Sequence, residues 1–155
     1  MSSQIPVIMC IGSTSIIGDS LGPLVGDILR YKHHAKAYIY GSLKRPINGI
    51  NYREYLEYIN FMHSNPFIIA IDACVGSEID IGQVKISKSG IRAGAALKKP
   101  FSRIGDIGIV GVVALKAEDN LKTLSAVNME NLIDISLAVA TRVIKLLDAW
   151  FKLQK

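Results

Sequence analysis

The fold is decided by residues 6–25, which read PVIMCIGSTSIIGDSLGPLV. Residues 6–11 form a short apolar run without polar alternation, which is typical of a buried parallel strand. A loop of small and polar residues follows at 12–20, and apolar residues at helical spacing then predict a helix over 21–32. Ser20 is the expected N-cap, since its hydroxyl can accept a backbone N–H. A strand, a loop and a helix in this order predict an α/β fold.

Two aspartates follow predicted strands. Asp19 lies in the loop after the first strand, and Asp72 follows the apolar run FIIAI at 67–71. In an open α/β sheet the ligand crevice lies outside the carboxyl ends of the strands, so two acids at two strand ends are expected to meet in one cleft. Two carboxylates that share a site push their pKa values apart, which gives one acid and one base. Taken singly, Asp19 is also explained as a charge that favours the helix dipole, and Asp72 as a loop cap.

Length and composition bound the class of protein. The chain has 155 residues, so residues 1–155 are expected to form a single domain. Half of the residues are apolar, but no apolar run reaches the ~20 residues of a membrane span, which predicts a large core and no membrane partner. The first residues carry no basic signal-peptide segment, and Cys10 and Cys74 have no metal-site spacing. A cytoplasmic protein with reduced thiols is therefore expected.

The remaining periodicities predict a layered sandwich. Short apolar runs predict strands over residues 37–40, 67–73, 83–87 and 107–115. Helical patterns predict helices or helical turns over 52–62, over 118–124 and from 128 or 129 to 153. Asn51 is the expected N-cap of the first of these. Strands that alternate with helices predict a three-layer α/β/α sandwich around a mostly parallel sheet.

The chain is basic, with a net charge of +5, and six cations with no acid lie between residues 85 and 103. Such a stretch attracts an acidic protein, nucleic acid or phosphate, while the plainer interpretation is a solvated loop. Aromatic residues are not interleaved with these cations, which disfavours a nucleic-acid partner. Residues 88–105 are expected to form one long irregular loop, a feature that is usually functional.

Other site chemistries fit the sequence poorly. No Walker A or GxGxxG pattern follows the first strand, and an acid at Asp19 would repel a phosphate. No GxSxG marks a serine nucleophile, and no HxxxH or CxxC marks a structural zinc. Cys74 lies near Asp72, but the histidines fall at helix ends that point to the opposite edge of the sheet. A buried structural thiol is therefore favoured over a cysteine–histidine dyad.

A longer match is carried by four segments together. They are residues 10–26 (CIGSTSIIGDSLGPLVG), 67–74 (FIIAIDAC), 90–99 (GIRAGAALKK) and 104–113 (IGDIGIVGVV). These segments resemble the YyaC-type sporulation proteins, small relatives of the germination (spore) protease. The resemblance covers most of the chain, and the block GDSLGP is its specific part.

The resemblance implies a phosphorylase/hydrolase-like α/β sandwich, the fold of hydrogenase-maturation endopeptidases. In the germination protease an aspartate before Ala-Leu-Gly-Pro is implicated in catalysis, and Asp19 matches it. A second aspartate in an Ile-Asp-Ala context matches Asp72, and the family's glycine-rich loop resembles residues 86–91, with Ala93 in place of the family's proline. The chain is less than half as long as a germination protease, so the spore proteins which that protease digests need not be its substrates.

The acid pair and the resemblance together predict the site residues. Asp19 and Asp72 are the predicted catalytic pair. The loop over 87–99 is predicted to hold an extended peptide, with its cations favouring acidic substrates. The predicted substrate-binding residues are Ser13, Thr14, Ser87, Gly90, Arg92, Gly94, Lys98 and Lys99.

Three functions stay open at this point. The first is a peptidase-like hydrolase of sporulation or germination, in which the aspartate pair polarises water and protonates the leaving amine. The second is a metal-dependent relative, in which the two acids are oxygen ligands of a divalent cation. The third is a non-catalytic binding protein of the sporulation programme that keeps the fold.

The resemblance also bears on cofactors and location. Hydrogenase-maturation enzymes bind nickel through two acids and a histidine, but no histidine follows His63, so no cofactor is assigned and a divalent metal stays open. The resemblance implies the forespore or spore interior. Tyrosines at 52, 55 and 58 leave a homo-oligomer open as well.

Overall fold

A computed structural model describes residues 4–92 and 103–155 and places a twisted sheet at the centre of the chain. The strands of this sheet are β1 (Val7–Cys10), β2 (Tyr38–Tyr40), β3 (Ile68–Gly76), β4 (Val84–Ser87) and β7 (Ile107–Leu115). Their order is β2–β1–β3–β7–β4, with all neighbours parallel except β4, which runs antiparallel to β7. Two short strands, β5 (Ile91–Arg92) and β6 (Arg103–Ile104), pair as a separate antiparallel ribbon.

Helices cover both faces of the sheet. They are α1 (Leu21–Asp27), which continues as a π-helical turn (Ile28–Lys32), α2 (Tyr52–Met62), α3 (Asn120–Ser125) and α4 (Met129–Leu153). α1 and α4 pack against each other on one face, and α2 lies on the other. None of the helices among the described residues is long and apolar enough to cross a membrane.

Alternate residues of the central strands serve two separate cores. In β1 the side chains of Ile8 and Cys10 join the core beneath α1 and α4, while Val7 and Met9 join the core beneath α2. This is the period of two that a strand buried on both faces imposes. Full burial of one such aliphatic side chain contributes ~1.5–3 kcal/mol, so both faces stabilise the sheet.

The predicted three-layer α/β/α sandwich with a mostly parallel sheet is confirmed. The bounds of α2, β7 and α4 agree with the prediction. The predicted end of β3 at residue 73 is wrong, because β7 continues beside β3 and pairs with it as far as Gly76. Asp72 therefore lies inside a strand and not at its carboxyl end.

Two predicted helix caps are also wrong. The Ser20 side chain does not cap α1, since its hydroxyl donates to the carbonyl of Ile17 at 2.6 Å. The Asn51 side chain does not cap α2, since its amide bonds back to the preceding loop, accepting from the Asn48 N–H at 2.8 Å and donating to the Pro46 carbonyl at 3.1 Å. Both side chains fix the loop before a helix instead of the first turn.

The predicted irregular loop over 88–105 is partly wrong. Its two ends form the β5–β6 ribbon, and Gly90 makes a bridge to Ile107 at the start of β7. A two-residue strand carries too little pattern to be predicted from sequence.

Candidate active site

Asp72 lies where β1 has just ended. The last pair between β1 and β3 is Cys10 with Ile71, so Asp72 is the first residue of β3 beyond its neighbour strand. By alternation its side chain belongs to the face of α2, as does that of Ala70. The residue is only 6% exposed, and its carboxylate accepts the Ala73 N–H at 2.9 Å.

Asp19 is carried by a 3-10 turn (Gly18–Ser20) that leads into α1. Its carboxylate is partly buried and accepts the Ser13 N–H at 3.0 Å, while its main-chain carbonyl lies 3.1 Å from the same nitrogen. Gly12 makes this closure sterically feasible, because a Cβ there would collide with the Asp19 carbonyl oxygen. The loop after β1 is thus folded back on the aspartate that ends it.

The turn that carries Asp19 contacts β3, the strand that carries Asp72. Next to this contact, Leu21 packs so closely on β7 that a Cβ at Gly111 would lie 2.7 Å from its side chain. Gly111 pairs with Ala73, the neighbour of Asp72. The two acid-bearing elements are therefore packed together at the carboxyl end of β1, the position that α/β proteins use for ligands.

Ser13 and Thr14 lie in the loop of Asp19. The Ser13 hydroxyl is hydrogen-bonded to that of Ser15 at 2.7 Å, and Thr14 is exposed.

The sequence analysis did not predict a role for Ile47, which lies on the other side of the end of β1. Ile47 forms a bridge with Ile11, and its carbonyl accepts the Gly12 N–H at 2.7 Å. Nothing in a lone isoleucine after a proline signals this pairing.

The other predicted substrate-binding residues lie farther along the sheet. Ser87 pairs with Gly108 on the edge strand β4, because β4 runs antiparallel and ends beside the amino-terminal half of β7. Gly90 is buried with φ of +75°, packed against the carbonyls of residues 104 and 105. Arg92 is exposed on the ribbon. Gly94, Lys98 and Lys99 lie outside the described residues.

The ribbon borders the face on which Asp72 lies. A Cβ on Gly108 would collide with the Ile91 side chain, so β5 lies directly on β7 at that point. Gly108 pairs with Ala70, which precedes Asp72 by two residues, or about 7 Å along the strand. The cations of the ribbon thus lie beside β3, the strand that carries Asp72.

Both cysteines lie in strands. Burial raises the pKa of the Cys10 thiol to about 12. Burial first, and then the neighbouring Asp72 carboxylate, raise the pKa of Cys74 to about 11. At neutral pH both thiols are protonated, which leaves neither as a ready nucleophile.

We expect the native thiols to react about two orders of magnitude more slowly with Ellman's reagent at pH 8 than those of the unfolded chain. In the folded state both thiols keep their protons at pH values above their ordinary pKa of 9.0. The contribution of the protonated thiols to the free energy of unfolding should therefore fall as the pH rises from 9 towards 11. Reaction traces in buffer and in guanidinium chloride measure the first effect. Equal rates in the two states would contradict it.

The residues present do not fit a nickel site of two acids and a histidine. No group of three or more His, Cys, Asp or Glu side chains that could hold a metal occurs among the described residues, and residues 93–102 contain none of these types. His63 is hydrogen-bonded to the Tyr40 hydroxyl at 2.7 Å and contacts the Tyr38 ring, at a tilt of 42°, at the edge strand β2.

The sheet order and the helices on both faces define a three-layer α/β/α protein with a mostly parallel sheet. The chain belongs to the family described as "Protein of unknown function (DUF1256)", which it matches over residues 2–142. It is 32% identical over 142 residues to the uncharacterized protein YyaC of Bacillus subtilis (strain 168), covering 88% of this chain and 69% of that protein. The predicted YyaC-type resemblance is confirmed.

Two solved structures share the fold. The [NiFe] hydrogenase maturation protease HycI from Thermococcus kodakarensis KOD1 superposes with a TM-score of 0.60 at 18% identity, covering 94% of this chain and 93% of that one. The maturation protease HybD from Thermococcus kodakarensis superposes with a TM-score of 0.57 at 16% identity, covering 92% and 99%. At this identity the likeness establishes the fold alone, which is the phosphorylase/hydrolase-like α/β sandwich that the resemblance implied.

Proposed function

We propose that this protein is a peptidase-like hydrolase in which Asp19 and Asp72 cut a peptide bond held between them. The observation that carries the proposal is the packing of the Asp19 turn against β3 at the carboxyl end of β1. The fold, shared with two maturation proteases, supports the same class of chemistry. A sporulation role and a spore-interior location are part of the proposal and rest on the YyaC-type resemblance.

In the proposed reaction one carboxylate takes a proton from water while the water oxygen forms a bond to the scissile carbonyl carbon. The other carboxyl group gives a proton to the leaving nitrogen as the C–N bond breaks, so a carboxylic acid and an amine are released. Asp19 is the more exposed of the two and is assigned to the water; Asp72 is 6% exposed and is assigned to the leaving group.

The proposed substrate is an extended peptide with acidic residues. Arg92 is exposed on the ribbon, and the cationic stretch continues through residues 98 and 99 in the sequence. Cations beside a cleft raise the local concentration of acidic ligands and speed their association. The Ser13–Thr14 loop forms the other proposed wall.

The test is hydrolysis of a proteome-derived peptide library, read as new termini by mass spectrometry. We expect the wild-type chain to produce new termini and Asp19→Asn to lose at least ~10²-fold of this activity, because asparagine cannot take the proton of water. Asp148→Asn, an exposed acid on α4, is the matched control and should keep full activity.

The same assay separates the remaining alternatives. Activity that survives Asp19→Asn would overturn the assignment of the pair. Activity that a chelator removes and added divalent cation restores would show that the two acids act through a metal ion. The non-catalytic alternative would be established if the wild-type protein hydrolysed no peptide of the library but, immobilised on a column, retained one of them.

A further inference from the structure

A large cavity among the described residues lies away from the acid pair. It has a volume of about 980 Å³ and is formed at the β2 edge by the π-helical turn, the loop after β2 and α2. Neither Asp19 nor Asp72 lines it. Tyr31, Tyr55 and Tyr58 contribute to its walls.

The edge of β2 beside this cavity is closed to another strand. Tyr38 donates its N–H to the Pro6 carbonyl, so the next residue, Ile39, directs its main-chain groups away from β1. The Arg30 guanidinium covers that side, donating to the carbonyls of Ile39 at 2.6 Å and Gly41 at 2.9 Å. A charged side chain over an edge strand prevents sheet extension, so any partner here must bind through side chains.

Apolar side chains extend the cavity into a larger surface. Tyr31 is 76% exposed on the π-helical turn, and Phe61 is 86% exposed on α2. Tyr58 and Phe61 are three residues apart and lie on one side of the helix. Tyr31, Leu43 and Tyr58 line the cavity and are exposed. Tyr38 on β2 and Phe61 and Met62 on α2, the two elements that contribute to its walls, are exposed as well. An exposed aromatic surface of this kind is typical of a protein interface.

Charges of opposite sign stand on two sides of this surface. Lys44 and Arg45 are exposed on the loop after β2, and Glu54 and Glu57 are exposed on α2. The ion pairs found among the described residues include none of these four. A surface with a cationic side and an anionic side is complementary to a copy of itself turned by a two-fold axis.

We propose that this surface is the dimer interface of the protein, with a second copy of the same chain as its occupant. In the two-fold dimer the loop of each copy, with Lys44 and Arg45, faces Glu54 and Glu57 of the other. The aromatic side chains fill the centre, where Phe61 of one copy enters the cavity of the other. Arg30 keeps the two sheets from joining edge to edge. This proposal does not depend on the proposed function.

The test uses two charge-reversed variants and sedimentation velocity at micromolar concentrations. Lys44→Glu/Arg45→Glu gives the loop the charge sign of Glu54 and Glu57. Glu54→Lys/Glu57→Lys gives these two α2 positions the charge sign of Lys44 and Arg45. We expect the wild type to be a dimer, and each variant alone to have a dissociation constant raised at least ~10-fold, because like charges then face each other. An equimolar mixture of the two variants should form a mixed dimer of wild-type affinity.

Several outcomes would overturn the proposal. A wild type that stays monomeric throughout the concentration range would leave the surface to a different protein. Variants that each dimerise as the wild type does would place the interface elsewhere. Charge-reversed variants that fail to associate when mixed, although circular dichroism shows both folded, would reject the pairing of the loop with α2.

Phe61→Ser, at an exposed position, should weaken the dimer in the same assay without altering the fold.

Discussion

Replacing Asp72 by asparagine is expected to lower peptide hydrolysis by ~10³-fold or more while the protein stays folded. The amide is nearly isosteric with the carboxylate, and its oxygen can still accept the Ala73 N–H, now at 2.9 Å from the carboxylate. It cannot hold and release the proton that the leaving nitrogen needs. Hydrolysis rates on the peptide library and a urea unfolding curve measure the two properties separately.

Asp106 provides a matched control for this variant. Its carboxylate also accepts a backbone N–H of β3, that of Ile68 at 2.8 Å, but at the amino end of the strand. Asp106→Asn should therefore leave the hydrolysis rate unchanged.

The double variant Asp19→Asn/Asp72→Asn tests whether the two acids act as a unit. Since each is assigned a step of one reaction, the double variant should be little worse than the more damaging single variant. Multiplied losses would show independent roles. An Asp72→Asn variant that is folded and fully active would refute the mechanism.

The elements that the sequence predicted best have a strong period and clear ends. α4 carries an apolar stripe over its 25 residues, with Asn128 accepting the N–H groups of Glu130 and Asn131 at its start. β7 is a long apolar run between polar residues. In these segments the local pattern and the tertiary packing favour the same structure, so tertiary contacts do not change the locally preferred structure.

The predictions that failed depend on contacts between distant residues. β3 extends beyond residue 73 because β7 pairs with it, and no local signal in residues 74–76 indicates this. The antiparallel direction of β4, which carries Ser87 away from the carboxyl edge, cannot be read from a run of four residues. Asn51 is a good N-cap by composition, yet the loop before it presents better-placed partners.

The candidate site was predictable in part for the same reason. Asp19 belongs to the contiguous strand–loop–helix segment, whose order along the chain decides its place at the sheet edge. Asp72 was predicted on the correct strand and close to its observed position along that strand, since strand neighbours follow from the fold class. The ribbon next to it and the wall made by Ile47 arise only when the sheet is assembled.

Gly12→Ala is expected to lower the hydrolysis rate ~10²-fold, because it displaces Asp19 without changing the carboxylate itself. The new Cβ would collide with the main-chain carbonyl of Asp19 and lie 2.8 Å from the Pro23 ring, so the turn must move away from β1. The shift should also weaken the bond from the Ser13 N–H to the Asp19 carboxylate, now 3.0 Å. A displacement of about 1 Å in a catalytic group costs ~10²-fold in rate, and overpacking costs ~1–3 kcal/mol of stability.

Gly82→Ala separates these two effects. Gly82 has φ of +91°, and a Cβ added there would have no neighbour within 4 Å among the described residues, so alanine is strained but meets no other group. It should lose a similar ~1–2 kcal/mol of stability and keep its hydrolysis rate, because the turn of Asp19 is untouched. Urea unfolding and the peptide assay on both variants make the comparison. If Gly12→Ala were as active as Gly82→Ala at equal stability, the folded-back loop after β1 would have no part in placing Asp19, the proposed catalytic residue.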